Sequence, residues 1–299
     1  MEWKGRRQSS NVEDARGRRS TAGMGGGRGI GMGLLSLIGR KFGIKGILIA
    51  IVAGVVLWKL GIVDPNMLLG GSAPTSSSSS PVNASPEEQE LYTFIATVLG
   101  GTEEVWTEEF SRIGKTYKLP EMQVYTGATR TACGQGSASM GPFYCPGDEK
   151  IYIDLSFYDE LARTFNAPGD FAQAYVIAHE VGHHVQHLLG TTNKVNAARG
   201  TSKQNEMSVR LELQADFYAG MWAKQSMEYF KIDREDIMEA MGAANAIGDD
   251  AIQKKSQGRV VPHTFTHGTS DQRMRWFKKG LESGRIEDGD TFSMPYSQL

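Results

Sequence analysis

Residues 169–189 of this 299-residue chain read GDFAQAYVIAHEVGHHVQHLL. Asp170 stands at the start of this apolar stretch and Gly190 follows it, so the pattern predicts one helix over residues 170–189. Four of the six histidines of the chain fall within nine positions here, from His179 to His187. Polar side chains in apolar surroundings are costly unless they have partners. We therefore expect this helix to be buried and to carry the chemistry of the protein.

His179, Glu180 and His183 form an H-E-x-x-H motif within the helix. Residues four apart lie on one helix face, so the two histidines can present ring nitrogens to one Zn²⁺ at about 2.0–2.1 Å. Glu180 follows the first histidine directly and reaches a water beside the metal rather than the metal itself, which is the position of a general base. His184 and His187 cannot easily reach the same ion, and we assign them packing or surface roles.

Glu212 and Asp216 lie four residues apart in a second predicted helix, residues 205–230, among apolar neighbours that indicate burial. A catalytic zinc needs a third protein ligand and one open position. We assign Glu212 as that ligand, with one zinc ion per domain. Asp216 is predicted to accept the free N–H of a ligating histidine and so to fix its tautomer.

The other elements that the patterns predict are mostly helical. Helices are expected over 86–99, 102–117, 233–247 and 270–279, and strands within 122–157. In the last of these ranges the apolar residues Ile151, Ile153 and Leu155 alternate with Tyr152 and Asp154. This alternation is typical of a strand. Residues 87–299 are thus predicted to form one helix-dominated α+β domain with a small sheet.

The two ends of the chain carry opposite charges. Residues 1–45 hold ten Lys or Arg and three acids, a net of +7, whereas residues 87–299 hold 21 basic and 30 acidic residues, a net of −9. Residues 1–43 are predicted to be a disordered basic tail. The alternative, a nucleic-acid-binding arm, would need aromatic residues among the charges, and only Trp3 and Phe42 are present. No nucleic acid partner is expected.

Residues 44–63, IKGILIAIVAGVVLWKLGIV, are predicted to form a transmembrane helix. Twenty residues rising about 1.5 Å each span about 30 Å of hydrocarbon. The positive-inside rule then predicts a single-pass membrane protein with a cytoplasmic N-terminus and a periplasmic or extracellular domain. A buried core helix and a cleaved signal peptide are the alternatives. Residues 64–86, rich in Ser, Gly and Pro, are predicted to be a flexible linker.

Cys133 and Cys145 are the two cysteines of the chain. In a domain expected outside the cytoplasm, a disulfide between them is the natural interpretation, worth about 3 kcal/mol in a loop-entropy estimate. The alternative is a pair of zinc ligands. We disfavour it because the H-E-x-x-H motif and Glu212 already complete a site.

The spacing H-E-x-x-H followed by E-x-x-x-D resembles the gluzincin class of zinc metallopeptidases. Four stretches, residues 141–161, 169–186, 212–220 and 265–280, together resemble the bacterial neutral zinc metallopeptidase family. The resemblance implies a zincin-like fold preceded by one membrane span. It also implies a membrane-anchored endopeptidase that cleaves peptide or protein substrates with a metal-activated water and a glutamate base. Relatives often have cysteines at the position of Phe217 and near Gly289, so a second disulfide is expected to be absent here.

The same resemblance implies two further roles. His267 is the candidate for a polar group that steadies the oxyanion, with a structural hydrogen bond as the alternative. Residues 151–155 are the candidate edge strand for an extended substrate. Two other functions stay open, namely a catalytically silent zincin-fold protein that binds peptides or envelope partners, and a soluble metal-binding domain with a nucleic-acid-binding tail. No oligomeric state is predicted.

Overall fold

A computed structural model of the chain describes residues 1–18 and 84–299. Eight α-helices lie within these residues: α1 Pro86–Arg112, α2 Ser156–Arg163, α3 Asp170–Leu188, α4 Thr191–Ala197, α5 Gln204–Phe230, α6 Arg234–Ala246, α7 Asp249–Gln257 and α8 Ser270–Ser283. Six strands accompany them: β1 Val12–Asp14, β2 Glu121–Tyr125, β3 Ala128–Thr131, β4 Gly134–Ser137, β5 Phe143–Cys145 and β6 Lys150–Asp154. The architecture of these residues is mostly helical α+β, with two small sheets.

The larger sheet has the strand order β1-β2-β6-β5. Strands β1, β2 and β6 run parallel, whereas β5 is antiparallel to β6; β3 and β4 form a separate antiparallel hairpin. Both faces of β6 are covered, since Ile151, Tyr152, Ile153 and Asp154 are all buried. The expectation that residues 151–155 form the sheet edge was therefore wrong. Strand β6 pairs with β2 on one side and with β5 on the other, so the edges of this sheet are β1 and β5.

The N-terminal residues pack on the domain, so the prediction of a disordered tail was wrong for Met1–Gly17, which share one compact unit with the residues after 84. Strand β1 pairs with β2, and Ser9 N donates to Ala96 O at 2.9 Å. The basic charge that suggested a tail is neutralised locally, because Arg7 contacts Glu103 Oε2 at 2.9 Å and Glu104 Oε1 at 2.8 Å. The remainder of the predicted tail and most of the linker lie outside the described residues.

The predicted transmembrane helix, residues 44–63, also lies outside the described residues. None of the helices in residues 1–18 and 84–299 is long and apolar enough to cross a membrane. The packing of β1 adds a positive constraint, because both parts of this compact unit must lie on the same side of any membrane. A single crossing between them would separate them. The predicted single-pass location, with a cytoplasmic N-terminus and the domain on the far side, was therefore wrong, and the fold class is corrected to mostly helical α+β without a supported preceding span.

Helix α1 is continuous where two helical segments were expected. Its start is fixed by a capping box, in which Ser85 and Glu88 each bond the backbone of the other. Gly100 and Gly101, which lie between the two expected segments, serve as contact points. A Cβ on Gly100 would lie 2.8 Å from Arg7 O, and one on Gly101 would lie 2.5 Å from the Phe230 ring. The glycines let the N-terminal segment and α5 approach the helix backbone.

Helices α3, α5 and α8 form the buried centre of the domain, and glycines set their spacing. A Cβ on Gly182, within the H-E-x-x-H motif, would lie 3.1 Å from Ala215 Cα. Gly220 of α5 faces Gly280 of α8, and a Cβ on either would overlap a backbone carbonyl of the other helix. The backbones can therefore approach closely, which brings side chains of all three helices to one point.

The substitution Gly220→Ala is expected to lower the free energy of unfolding by about 1–3 kcal/mol, because the added methyl meets a backbone carbonyl that cannot turn aside. Gly242→Ala is the matched control. Gly242 lies within α6 with no atom within 4 Å of the added carbon, so helix propensity should leave the protein unchanged or stabilise it by up to about 1 kcal/mol. Urea denaturation of both variants measures the difference, and equal effects would contradict the close approach.

Candidate functional site

The H-E-x-x-H motif lies in the buried middle of α3, and α5 brings Glu212 to it. Glu212 Oε2 lies 3.2 Å from His179 Nε2 and 3.6 Å from His183 Nε2. One potential ligand atom of each residue lies within 4.8 Å of the others. The three residues that the spacing assigned as metal ligands are thus brought together in space.

The remaining ring nitrogens of the two histidines are held by acceptors. His179 Nδ1 lies 2.9 Å from Asp216 Oδ1, and His183 Nδ1 lies 2.9 Å from Gln186 Oε1. Because a carboxylate or an amide oxygen can only accept, each Nδ1 carries the hydrogen and each Nε2 is left to face Glu212. Two imidazoles and a carboxylate are a common zinc donor set, and tetrahedral zinc at 2.0–2.2 Å places its ligand atoms about 3.3 Å apart. The residues fit a zinc ion.

Asp216 is fully buried and is bonded from three sides. Arg273 of α8 forms two bonds to it, both at 2.9 Å, and Tyr175 OH donates to Oδ1 at 2.5 Å. Burial alone would raise the pKa of Asp216, but the charges of Arg273 and His179 outweigh it and lower the pKa to about 2. The structure brings Asp216 to His179, as the spacing suggested. The sequence analysis missed Tyr175 and Arg273.

A sequence signal for Arg273 did exist. Arg273, Trp276, Phe277 and Gly280 are buried and follow the spacing of one helix face. An arginine on an otherwise apolar face needs a buried anion, and Asp216 is that anion.

Charge and burial shift the pKa values of the other carboxylates and of His179 in opposite directions. Burial raises the pKa of Glu180 above its ordinary value, against the charges of His183 and His179. Glu212 is mostly shielded from water, which alone would raise its pKa, but the charge of His183 and the hydrogen bonds from both histidines hold the pKa well below the ordinary range. Burial would lower the pKa of His179, yet the charge of Asp216 and the bonds to Asp216 and Glu212 raise it to about 9 in the metal-free protein.

His267 lies at the same cleft but is not hydrogen-bonded to the H-E-x-x-H motif. Its Nδ1 lies 3.1 Å from Asp249 Oδ1. Asp249 Oδ2 accepts the backbone N–H groups of Thr266, His267 and Gly268 at 2.6–3.0 Å. This hydrogen bond from His267 to Asp249 raises the pKa of the imidazole, although burial opposes it. The sequence analysis missed Asp249, since an acid at the first position of a helix reads as an ordinary helix start.

The cleft has a volume of about 930 Å³, with the H-E-x-x-H motif on its floor. One wall comes from β5 and the segment before it, including Met140, Phe143 and Tyr144. Tyr144 OH is held by His184 Nδ1 at 3.0 Å, and His184 Nε2 donates to Lys118 O at 2.6 Å. His184 is therefore a packing residue that fixes this wall, as its helix position suggested.

The predicted disulfide joins Cys133 to Cys145. Cys145 ends β5, and Cys133 lies in the turn between β3 and β4. The loop that the bridge closes contains residues 139–144, which line the cleft. The bridge therefore ties down one cleft wall, and neither cysteine is a zinc ligand.

Phe217 and Gly289 lie where the family resemblance places a second cysteine pair, which this chain was expected to lack. A Cβ on Gly289 would lie 2.6 Å from the Phe217 ring. The chain has no cysteines besides Cys133 and Cys145, so an aromatic side chain packed on a glycine occupies this place.

One other acidic group within the described residues could hold a metal by geometry: Asp170, Asp236 and Glu239, at the start of α3. Its oxygens already have partners. The amino group of Met1 lies 2.7 Å from Asp236 Oδ1 and 3.4 Å from Asp170 Oδ1, and Glu239 Oε2 accepts Phe171 N at 3.0 Å. This cluster is satisfied without an ion.

Two histidines and a glutamate that converge beside a second, buried glutamate define the class of H-E-x-x-H zinc proteins. Comparison with known proteins agrees: residues 1–292 match the family "Putative neutral zinc metallopeptidase", and the chain belongs to that family. It is 47% identical over 295 residues to uncharacterized protein YpfJ of Escherichia coli strain K12, which covers 98% of this chain and 99% of that protein. Over 188 residues it is 43% identical to uncharacterized protein Mb2605 of Mycobacterium bovis, which covers 59% of this chain and 64% of that protein. No solved structure matches the chain.

Zinc binding is expected to release protons, because the pKa of about 9 leaves His179 protonated on both nitrogens at neutral pH in the metal-free protein. The bound ion needs the neutral ring. The apparent zinc affinity should therefore rise between pH 7 and 9, and the proton release should diminish above pH 9. Isothermal titration calorimetry in two buffers of different ionisation enthalpy counts the protons. A zinc affinity that stays constant from pH 7 to 9 would contradict the assigned pairing of His179 with Asp216.

Proposed function

We propose that the protein is a zinc-dependent endopeptidase whose single zinc ion is held by His179 Nε2, His183 Nε2 and the Glu212 carboxylate. The observation that carries the proposal is the convergence of these three groups, beside buried Glu180, on the floor of a 930 Å³ cleft. When bound, zinc would supply Lewis-acid chemistry, polarising a carbonyl and acidifying water. Membership of the zinc metallopeptidase family supports the same conclusion.

Glu180 is the general base in this proposal. Its carboxylate takes a proton from the attacking water while the water oxygen bonds to the carbonyl carbon of the scissile peptide. It then gives that proton to the leaving nitrogen as the C–N bond breaks. Burial raises the pKa of Glu180, which makes the carboxylate a better proton acceptor than a solvated glutamate.

His267 is the group that we propose to steady the oxyanion. The two tyrosines that line the cleft have already committed their hydroxyl hydrogens: Tyr175 donates to Asp216 and Tyr144 to His184. His267 is half-exposed at the cleft, with Nδ1 tied to Asp249. Its Nε2 is thus available to donate to a developing negative charge.

The edge of β5 is the surface that we propose to hold the substrate. This strand is the outermost of the larger sheet, antiparallel to β6, and its residues Phe143 and Tyr144 line the cleft. An extended peptide can add to such an edge through main-chain hydrogen bonds. The disulfide at Cys145 and the Tyr144–His184 bond would hold the strand in place for it.

The substitution Glu180→Gln should abolish hydrolysis and leave zinc content unchanged, because the amide cannot accept the proton and does not contact the ion. Digestion of a peptide library by wild type, by the Gln variant and by wild type with a chelator provides the measurement, with zinc determined by elemental analysis. Proton-transfer groups contribute roughly 10²–10⁴-fold in rate. A Gln variant that cuts at the wild-type rate would sink the assignment.

The rate should fall at alkaline pH if cationic His267 donates to the oxyanion. The bond to Asp249 raises the pKa of His267 above 6.5, so the active form persists above that pH and is lost as pH rises through the shifted value. In Asp249→Asn the loss should begin at lower pH, and in His267→Ala this limb should vanish.

Asp250→Asn is the matched control for that pH profile. Asp250 is the next residue of α7, but its carboxylate accepts from Ser270 rather than His267. Profiles of kcat/KM against pH for the wild type and the three variants make the comparison. An alkaline limb that is the same in Asp249→Asn as in the wild type would remove His267 from the mechanism.

A further inference from the structure

Gln186 is a fully buried amide on α3, one turn after His183. Its Oε1 lies 2.9 Å from His183 Nδ1. Its Nε2 donates to Leu211 O at 2.6 Å and lies 3.2 Å from Gln214 Oε1. Leu211 directly precedes Glu212 in α5. One side chain therefore contacts the second histidine and the backbone beside the carboxylate with which that histidine converges.

The orientation of this amide is determined by its partners. The carbonyl of Leu211 can only accept, so Nε2 must face it and Oε1 must face His183. Oε1 can only accept as well, so His183 Nδ1 must donate. The amide thus selects the His183 tautomer whose free Nε2 faces Glu212 Oε2, at 3.6 Å.

Gln214 extends the contact outward. It is buried on α5, and its Nε2 donates to Gly289 O at 2.8 Å. Two residues beyond Gly289, Thr291 Oγ1 donates to Arg210 O at 2.6 Å, and Arg210 in turn donates to Thr291 O. The segment around 289–291 is therefore bonded to α5 on both sides of Glu212 and anchors the outer end of the amide pair.

We propose that Gln186 and Gln214 form a positioning pair that sets the affinity of the site for zinc, by holding His183 and Glu212 in register across two helices. The inference rests on the proposed function, since it takes zinc as the ion. Asp216 positions His179 by charge, whereas the Gln186–Gln214 pair positions His183 and Glu212 through neutral hydrogen bonds. Hydrogen-bonding partners of metal ligands typically contribute 10–100-fold to metal affinity.

The test measures zinc dissociation constants by chelator competition on the full chain, with thermal unfolding of each metal-free variant alongside. Gln186→Leu removes the acceptor and the donor and is expected to weaken zinc binding 10–100-fold. Gln225→Leu is the matched control. Gln225 lies on α5, as Gln214 does. Like Gln186, it donates two hydrogen bonds, to Glu109 and to Gly284 O, but far from the site. Its loss should leave zinc affinity unchanged.

Gln186→Glu separates positioning from simple packing. The carboxylate can still accept from His183 Nδ1, so this variant should bind zinc more tightly than Gln186→Leu and recover most of the lost affinity. Burial of a charge should at the same time make metal-free Gln186→Glu less stable to heat than metal-free Gln186→Leu. If Gln186 were purely structural, the variant that is less stable to heat would also bind zinc more weakly. If Gln186→Leu does not fold, Gln214→Leu, which disturbs the pair from its outer end, is expected to weaken zinc binding by a smaller factor.

The outcomes separate the inference from the function on which it rests. A wild-type protein that binds no stoichiometric zinc overturns the proposed function. A wild type that binds zinc while Gln186→Leu, or Gln214→Leu in its place, binds it equally well overturns the positioning pair alone. So does a Gln225→Leu variant that loses as much affinity, or a Gln186→Glu variant that binds as weakly as Gln186→Leu.

Discussion

The buried carboxylate of Asp216 is the interaction on which the rest of the site depends. A charge with no exposure to water is tolerated only when it is paired and hydrogen-bonded. Arg273 supplies the opposite charge from α8, and His179 and Tyr175 complete the bonding from α3. Three helices are thereby fixed in one register by a single carboxylate, and the glycines between them make that approach sterically feasible. The orientation of the first histidine is a consequence of this arrangement rather than a separate feature.

Much of the site could be predicted from the sequence, because its parts are close together along helices. The four-residue spacings of His179 with His183 and of Glu212 with Asp216 determine which side chains share a face, and the helix over 170–189 was confirmed to within one residue at its end. The helix spacing of Arg273 indicates burial but does not identify its partner, and Asp249 reads as an ordinary helix start, since each acquires its role from a residue elsewhere in the chain. The edge position of β5 was missed for the same reason: strand order depends on pairing, and local alternation does not report it.

Charge patterning alone predicted the wrong location for the domain. A net of +7 at one end and −9 over the domain fits two compartments, but it equally fits two surfaces that attract each other. The contacts of Arg7 with Glu103 and Glu104 show that complementarity is the better explanation for the first residues. Helix α1 is continuous through Gly100 and Gly101, because a residue without a side chain can serve a close contact within a helix.

The placement of the first residues has a consequence for the order of assembly. Glu2 N bonds Phe230 O, and β1 has no partner until β2 exists. The ribosome adds roughly 5–20 residues each second, so the N-terminal segment waits roughly 10–45 s between its own synthesis and that of Phe230. Residues 1–17 are therefore made well before the residues that hold them in the fold. Until residues 121–125 have been made, β1 has no strand with which to pair.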